Sequence, residues 1–213
     1  MNNINSHFVS RFITRDWEHG DRRLTYYDAR QKRILTKSSK RLFAEDNDQE
    51  CNCECRLNEL IETPVSQGLP WLCQHESSKE PLVVDDWKLY RGLVLFLLVQ
   101  AVRVKPETQG ELRTLLERSD DEIDSIIKIV SKRFILYKLE VTGGNRFFYT
   151  NTGIFGFVVP DKKKPVGFGL GMPISSKTMI AFLELSFDSE GLERRCKEGN
   201  GGYLTSLDFH ASN

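Results

Sequence analysis

Ser119–Val141, "SDDEIDSIIKIVSKRFILYKLEV", holds two structural periods in immediate succession. Ser119-Asp120-Asp121-Glu122 is a Ser-x-x-Glu capping box, in which hydroxyl and carboxylate each satisfy a backbone N–H left over by the first helical turn. Ile123, Ile126, Ile127, Val130 and Phe134 follow at offsets of three and four, the stripe of an amphipathic helix. From Phe134 the β-rich run "FILYKLEV" takes over. The acidic first turn needs no catalytic explanation, because carboxylates are stabilising at the positive end of a helix dipole. A helix that hands over to strands, with more strands at both ends of the chain, predicts an α+β fold.

Toward the C-terminus the glycines Gly143-Gly144 stand between "FILYKLEV" and "RFFYT", a hairpin signal. "IFGFVV", "GFGLGMPI" and "TMIAFLELS" read as further antiparallel strands. The glycines of "GFGLGMP" are no dinucleotide fingerprint, since no helix follows; they suit strand kinks and close backbone approaches. In the other direction, Asp85 or Asp86 can cap a helix over Trp87–Val102 that is apolar on nearly every side and therefore central and buried. Its longest apolar run, Leu93–Val99, is far below the roughly 18 residues a membrane span needs. Leu57, Leu60 and Ile61 have helical spacing, interrupted or restarted at Pro64.

Near the N-terminus "HFVSRFIT", "RRLTYYD" and "RILTK" read as short strands. An exposed acidic, cysteine-bearing loop is expected at about 44–56 and a second loop at about 74–85. The expected architecture is a single domain over 1–213. In it, antiparallel sheet segments from both ends of the chain surround the buried central helix and the amphipathic one. "MNNINSHFVSRF" lacks the basic and apolar regions of a secretory signal, so a cytoplasmic protein with no membrane partner is expected.

The zero net charge is unevenly spread. Met1–Ala44 carries ten Lys/Arg against four Asp/Glu (+6), and Glu45–Asp86 two against eleven (−9). The basic front suits phosphate backbones, or else its cations are solvated hairpin edges, or face the acidic stretch within the fold. Four of the five cysteines lie within Cys51–His75. In an extended chain, alternate residues point one way, so Cys51, Cys53 and Cys55 could converge, with Cys73 or His75 completing a tetrahedral zinc shell. Such a zinc would be structural, as no acid or base stands beside it; the other reading is reduced thiols in a polar loop with Cys73 buried.

His7-Phe8-Val9-Ser10-Arg11-Phe12 resembles the opening of the domain-of-unknown-function 4238 family, which begins with His, an aromatic, Val, Pro, a basic or polar residue and an aromatic. "LTYYD" (24–28), "SSKRLFAEDN" (38–47), Ile61-Glu62, "QAVRV" (100–104), Thr150-Asn151 and Met172-Pro173-Ile174-Ser175 are similar to later family segments in the same order. Ser10 stands where the family has proline, and Asn151 where it has aspartate, an amide that can neither bind a metal with charge nor take a proton. The resemblance assigns no activity. It does imply that His7, Arg11, Glu62, Arg103 and Asn151 gather at one place.

Two functions follow. One is an enzyme or binder of a phosphate-bearing ligand, a nucleotide or nucleic acid. In it His7 is the general acid or base, Glu62 the base or a metal ligand, Arg11 and Arg103 phosphate clamps and Asn151 a substrate contact. The other is a non-catalytic module that binds nucleic acid or a protein partner through the basic N-terminal hairpin, braced by the cysteine cluster. The bland account leaves His7 in a strand and Glu62 and Arg103 as a buried pair.

Overall fold

The computed structural model describes residues 4–7, 10–42, 44–47, 51–75, 81–103, 109–150, 153–161 and 164–184. The fold is α+β. Strand β1 (Ile4–His7) is followed by the short helix α1 (Arg11–Thr14) and a 3-10 turn (Arg15–Trp17). The hairpin β2 (Arg23–Asp28) and β3 (Arg33–Ser38) comes next, then α2 (Ser39–Leu42) and β4 (Ala44–Asn47). A helical stretch runs as α3 (Cys51–Leu57), a π turn (Asn58–Glu62) and α4 (Thr63–Gln74). After it come α5 (Trp87–Arg103), α6 (Gln109–Leu116) and α7 (Asp120–Ser131), then β5 (Phe134–Glu140), β6 (Phe155–Asp161), β7 (Lys164–Pro173) and β8 (Thr178–Glu184). Among the described residues, two antiparallel pairs, β1–β4 and β2–β3, accompany one four-stranded antiparallel sheet ordered β5-β8-β7-β6.

The central helix is as its sequence predicts. Leu93, Val94, Leu95, Phe96 and Leu97 of α5 are each at most 3% exposed, so this helix is surrounded. Gly92 lets it close on the preceding helical stretch: a methyl group there would stand 3.1 Å from Val65 Cγ2 and 3.3 Å from Pro64 Cβ. The capping box of α7 is complete, Ser119 accepting from the Glu122 N–H while the Glu122 carboxylate accepts from the Ser119 N–H at 2.9 Å. Its buried stripe, Ile123 and Ile127, packs into the shared core. No helix among the described residues is long and apolar enough to cross a membrane.

Three expectations are corrected. "HFVSRFIT" is not one strand: β1 ends at His7 and Ser10 turns the chain into a helix, its carbonyl accepting from the Ile13 N–H at 3.1 Å. The aromatic and β-branched composition imitates a strand, but Phe12, Ile13 and Trp17 pack on the core with helical spacing. The acidic segment at 44–56 is no loop. Its first residues pair with β1 (Ser6 with Glu45, His7 with Ala44), and its cysteines lie on α3. At Pro64 the restart holds: the π turn shifts the bonding so that the Thr63 N–H donates to the Asn58 carbonyl, and the missing N–H of Pro64 falls at the start of α4. Finally, Gly143-Gly144 form a turn but no hairpin: β5 pairs with the distant β8 (Leu136 with Phe182, Lys138 with Ile180), and residues 146–150 are irregular. Of the second expected loop, residues 81–86 are irregular as predicted, and the Leu82 N–H donates to the Leu136 carbonyl along the free edge of β5.

An ionic network ties α3, α5 and α7 together. Asp120 pairs with Arg56 and, at 3.0 Å, with Arg91, which also meets Asp124 at 3.2 Å. The Arg91 contacts are charge pairs without the alignment of hydrogen bonds. Arg56 and Arg91 hold the Asp120 carboxyl below its usual range, the hydrogen bond from Arg56 being the largest cause. A carboxyl depressed in the folded state contributes stability above its unfolded pKa and loses it as pH falls through the folded value. Asp120→Asn is therefore expected to lower stability at neutral pH and to flatten the loss below about pH 4, as measured by urea unfolding across pH. Asp120 is largely solvent-exposed, so the effect is small.

Candidate functional site

The N-terminal segment 10–17 lies between the helices and the large sheet, and three side-chain anchors fix it. Ser10, 1% exposed, donates its hydroxyl to Glu62 Oε1 at 2.6 Å, joining the segment to the last residue of the π turn. Asp16 Oδ2 accepts the Ser176 N–H at 2.5 Å, and Trp17 Nε1 donates to the Phe147 carbonyl at 2.9 Å. Phe12 meets Phe96 of α5 edge-on at 6.3 Å, and Trp17 meets Tyr149 edge-on at 5.4 Å. The segment acts as a wedge whose one end touches the π turn and α5 and whose other end touches the sheet.

This arrangement bears on each predicted site residue. Glu62 is half-buried on the π turn, a helical irregularity that often marks functional positions. His7 ends β1 three residues before Ser10, so its backbone lies within about 11 Å of the Ser10 backbone. Arg11 follows Ser10 directly. Arg103 ends α5, seven residues or about 10 Å along the axis from Phe96. The side chains of His7, Arg11 and Arg103 lie outside the described part, as does Asn151 altogether, two residues after Tyr149. Of the elements that carry the predicted residues, the π turn with Glu62 meets the wedge through Ser10, and Arg11 stands on the wedge itself.

Three residues here were missed in the sequence. Ser10 looked like a departure from proline, yet it supplies a hydroxyl that proline lacks. Asp16 carried no local signal. Lys138 did: it stands in phase with Leu136 on a period-two strand, and it is 3% exposed. Its ammonium donates to the carbonyls of Cys73 (3.2 Å) and His75 at the end of α4, and pairs with Glu140 at 2.7 Å. The turn Ile174–Lys177, part of the motif-like "MPIS", is the other hub, with Ser175 Oγ accepting from the N–H groups of Lys177 and Thr178 at 3.1 and 2.9 Å.

The cysteines do not fit the expected zinc shell. Convergence required an extended chain, but α3 is helical, and residues two apart on a helix are turned about 200° from one another. Cys53 packs against the core while Cys55 is exposed; the side chain of Cys51 lies outside the described part. Cys73 is half-buried near Ser175, and the His75 ring lies 4.9 Å from the Trp71 ring. Among the described residues no group of three or more His, Cys, Asp or Glu is placed to hold an ion. Burial pushes the Cys73 thiol up, against a smaller opposing effect of Lys138. Cys73 is therefore expected to react with a disulfide reagent at pH 8 at least about tenfold more slowly than Cys55, measured by mass spectrometry of timed samples.

Comparison with protein-family models, curated proteins and solved structures finds no match for this chain. A separate groove of about 520 Å³ on the far face of α4 is lined by Glu59, Trp71, Asp85, Asp86 and Lys88 among others. Three carboxylates against one ammonium make it the wrong sign for phosphate.

Proposed function

We propose that the seam between the N-terminal wedge and the π turn acts on or binds a phosphate-bearing ligand, a nucleotide or nucleic acid. The observation that carries this reading is the 2.6 Å hydrogen bond from Ser10 to Glu62, because it sets Ser10, the neighbour of Arg11, beside a half-buried carboxylate. The similarity to the domain-of-unknown-function 4238 pattern belongs to the same proposal, since its scattered motifs fall on β1, the π turn, the end of α5 and the β7–β8 turn.

In a hydrolysis the roles follow from chemistry. A carboxylate such as Glu62 takes a proton from water as the oxygen attacks phosphorus. The opposite P–O bond breaks, and an imidazole such as His7 returns a proton to the leaving oxygen. Guanidinium groups at Arg11 and Arg103 offer planar pairs of donors to phosphate oxygens, and the Asn151 amide adds a neutral contact to substrate. In a binding protein the same cations hold the phosphate and no bond breaks.

The test is incubation of the full chain with nucleoside triphosphates and with short DNA and RNA, with each common divalent metal in turn. Phosphate release or strand cleavage that is lost in His7→Ala, with the circular-dichroism spectrum unchanged, is the expected result. No turnover and no binding of any of these ligands would remove the proposal.

A further inference from the structure

Among the described residues the hairpin β2–β3 joins no other strand, Arg23 alone bridging to His19, and Thr25, Tyr27, Ile34 and Thr36 on its outer face are exposed. The register sets Tyr27 opposite Ile34 and Thr25 opposite Thr36 on that face. Tyr27 is 64% and Ile34 72% exposed, an aromatic–aliphatic pair turned to solvent in a small two-stranded unit. His19 lies beside them, its Nε2 2.7 Å from Thr25 Oγ1, which in turn is 3.3 Å from Thr36 Oγ1. Near this strip stand Arg22, Arg23, Arg30 and Lys32, all exposed and none in an ion pair among the described residues, while Arg33, opposite Asp28 in the register, belongs to the other face. Asp28, the carboxylate at the tip, is engaged in the turn, accepting from the N–H groups of Arg30 and Gln31 at 2.9 and 3.0 Å.

We infer that this outer face binds single-stranded nucleic acid. Polyanion binding is set by charge: unpaired guanidinium and ammonium groups ring the face, and phosphate contacts release counterions from the strand. The single strand is set by Tyr27, whose ring is available for an unstacked base, with Ile34 across the register to extend the apolar platform. A duplex keeps its bases stacked inside and would use the cations alone. Thr25, Thr36 and His19 add hydrogen-bonding groups for base edges or sugar. The inference does not rest on the seam's chemistry. A chain that binds strands through the hairpin and hydrolyses nothing keeps this inference and loses the catalytic half of the other; one that hydrolyses nucleotides without hairpin binding does the reverse.

Fluorescence anisotropy of the full chain with a labelled oligonucleotide of about 12 residues, across a salt series, provides the test. The expected result is tighter binding to the single strand than to its duplex, with affinity falling steeply as salt rises. Tyr27→Ala is expected to weaken binding about tenfold or more, and Tyr27→Phe to restore it, since the ring and not the hydroxyl stacks. Arg23→Ala and Arg30→Ala should each reduce the salt slope by about 0.7. These side chains are exposed, so the variants keep the fold, which circular dichroism checks. Salt-independent binding, equal affinity for duplex, indifference to Tyr27→Ala, or full displacement of the strand by polyglutamate would each overturn the inference, the last in favour of an acidic protein partner.

Discussion

Glu62→Gln is expected to lower turnover of the nucleotide or nucleic-acid substrate by about 10²- to 10⁴-fold, the range for removing a general base, while leaving the protein folded. The substitution isolates charge from structure. A glutamine carbonyl oxygen can still accept the Ser10 hydroxyl, so the anchor between wedge and π turn survives while the carboxylate is lost. Ser10→Ala makes the opposite cut, keeping the carboxylate and deleting its donor; it should cost about 1–3 kcal/mol of stability and a smaller fraction of the rate. If Glu62→Gln and Ser10→Ala reduce activity in parallel with melting temperature, Glu62 is a structural acceptor and the catalytic assignment fails. A pH–rate profile separates the two further, because only a proton-transfer role ties the acidic limb to Glu62.

The second large effect is structural. Lys138→Ala is expected to destabilise the protein by about 3 kcal/mol, since it leaves the Cys73 and His75 carbonyls without their buried donor and opens a gap on β5. For a chain of this size that corresponds to a fall of about 6–12 °C in Tm. Lys138→Met keeps the aliphatic stem in place and removes only the ammonium. It should retain the packing part and lose the capping part, falling between the wild type and Lys138→Ala. Its Cys73 should also become less reactive, because the Lys138 charge is the main influence that favours the thiolate there. A Lys138→Met protein as stable as the wild type would show that the ammonium does not hold α4 to the sheet. Glu140, partly exposed, carries little of the energy.

Local rules made part of the structure legible. The capping box at Ser119 and the all-round apolar helix at Leu93–Val99 need no knowledge of the rest of the chain, and both stand where the sequence puts them. What was illegible depends on partners distant in sequence. Phe12, Ile13 and Trp17 form a helical face only because α5 and Tyr149 wait on either side. The pairing of β5 with β8 beats a nearer hairpin because a strand's choice of neighbour is settled by burial over the whole sheet, and "TMIAFLE" offers a partner buried along all but its last residue. The π turn has no sequence rule at all, though Pro64 marks where the bonding had to change. The candidate site divides in the same way. Glu62 was reachable through a resemblance, whereas Ser10, the residue that ties it to the N-terminus, was visible only as a mismatch.

The anchor between Asp16 and Ser176 spans a sequence separation of 160 residues. At about 5–20 residues per second, a ribosome needs roughly 8–32 s to make the second partner after the first. The wedge therefore has no completed berth during that interval, and the emerging helices must wait with an unfinished wall. A cell that shields early-emerging segments, or an expression temperature that slows their misassembly, should raise the yield of folded protein more than any change at the surface hairpin.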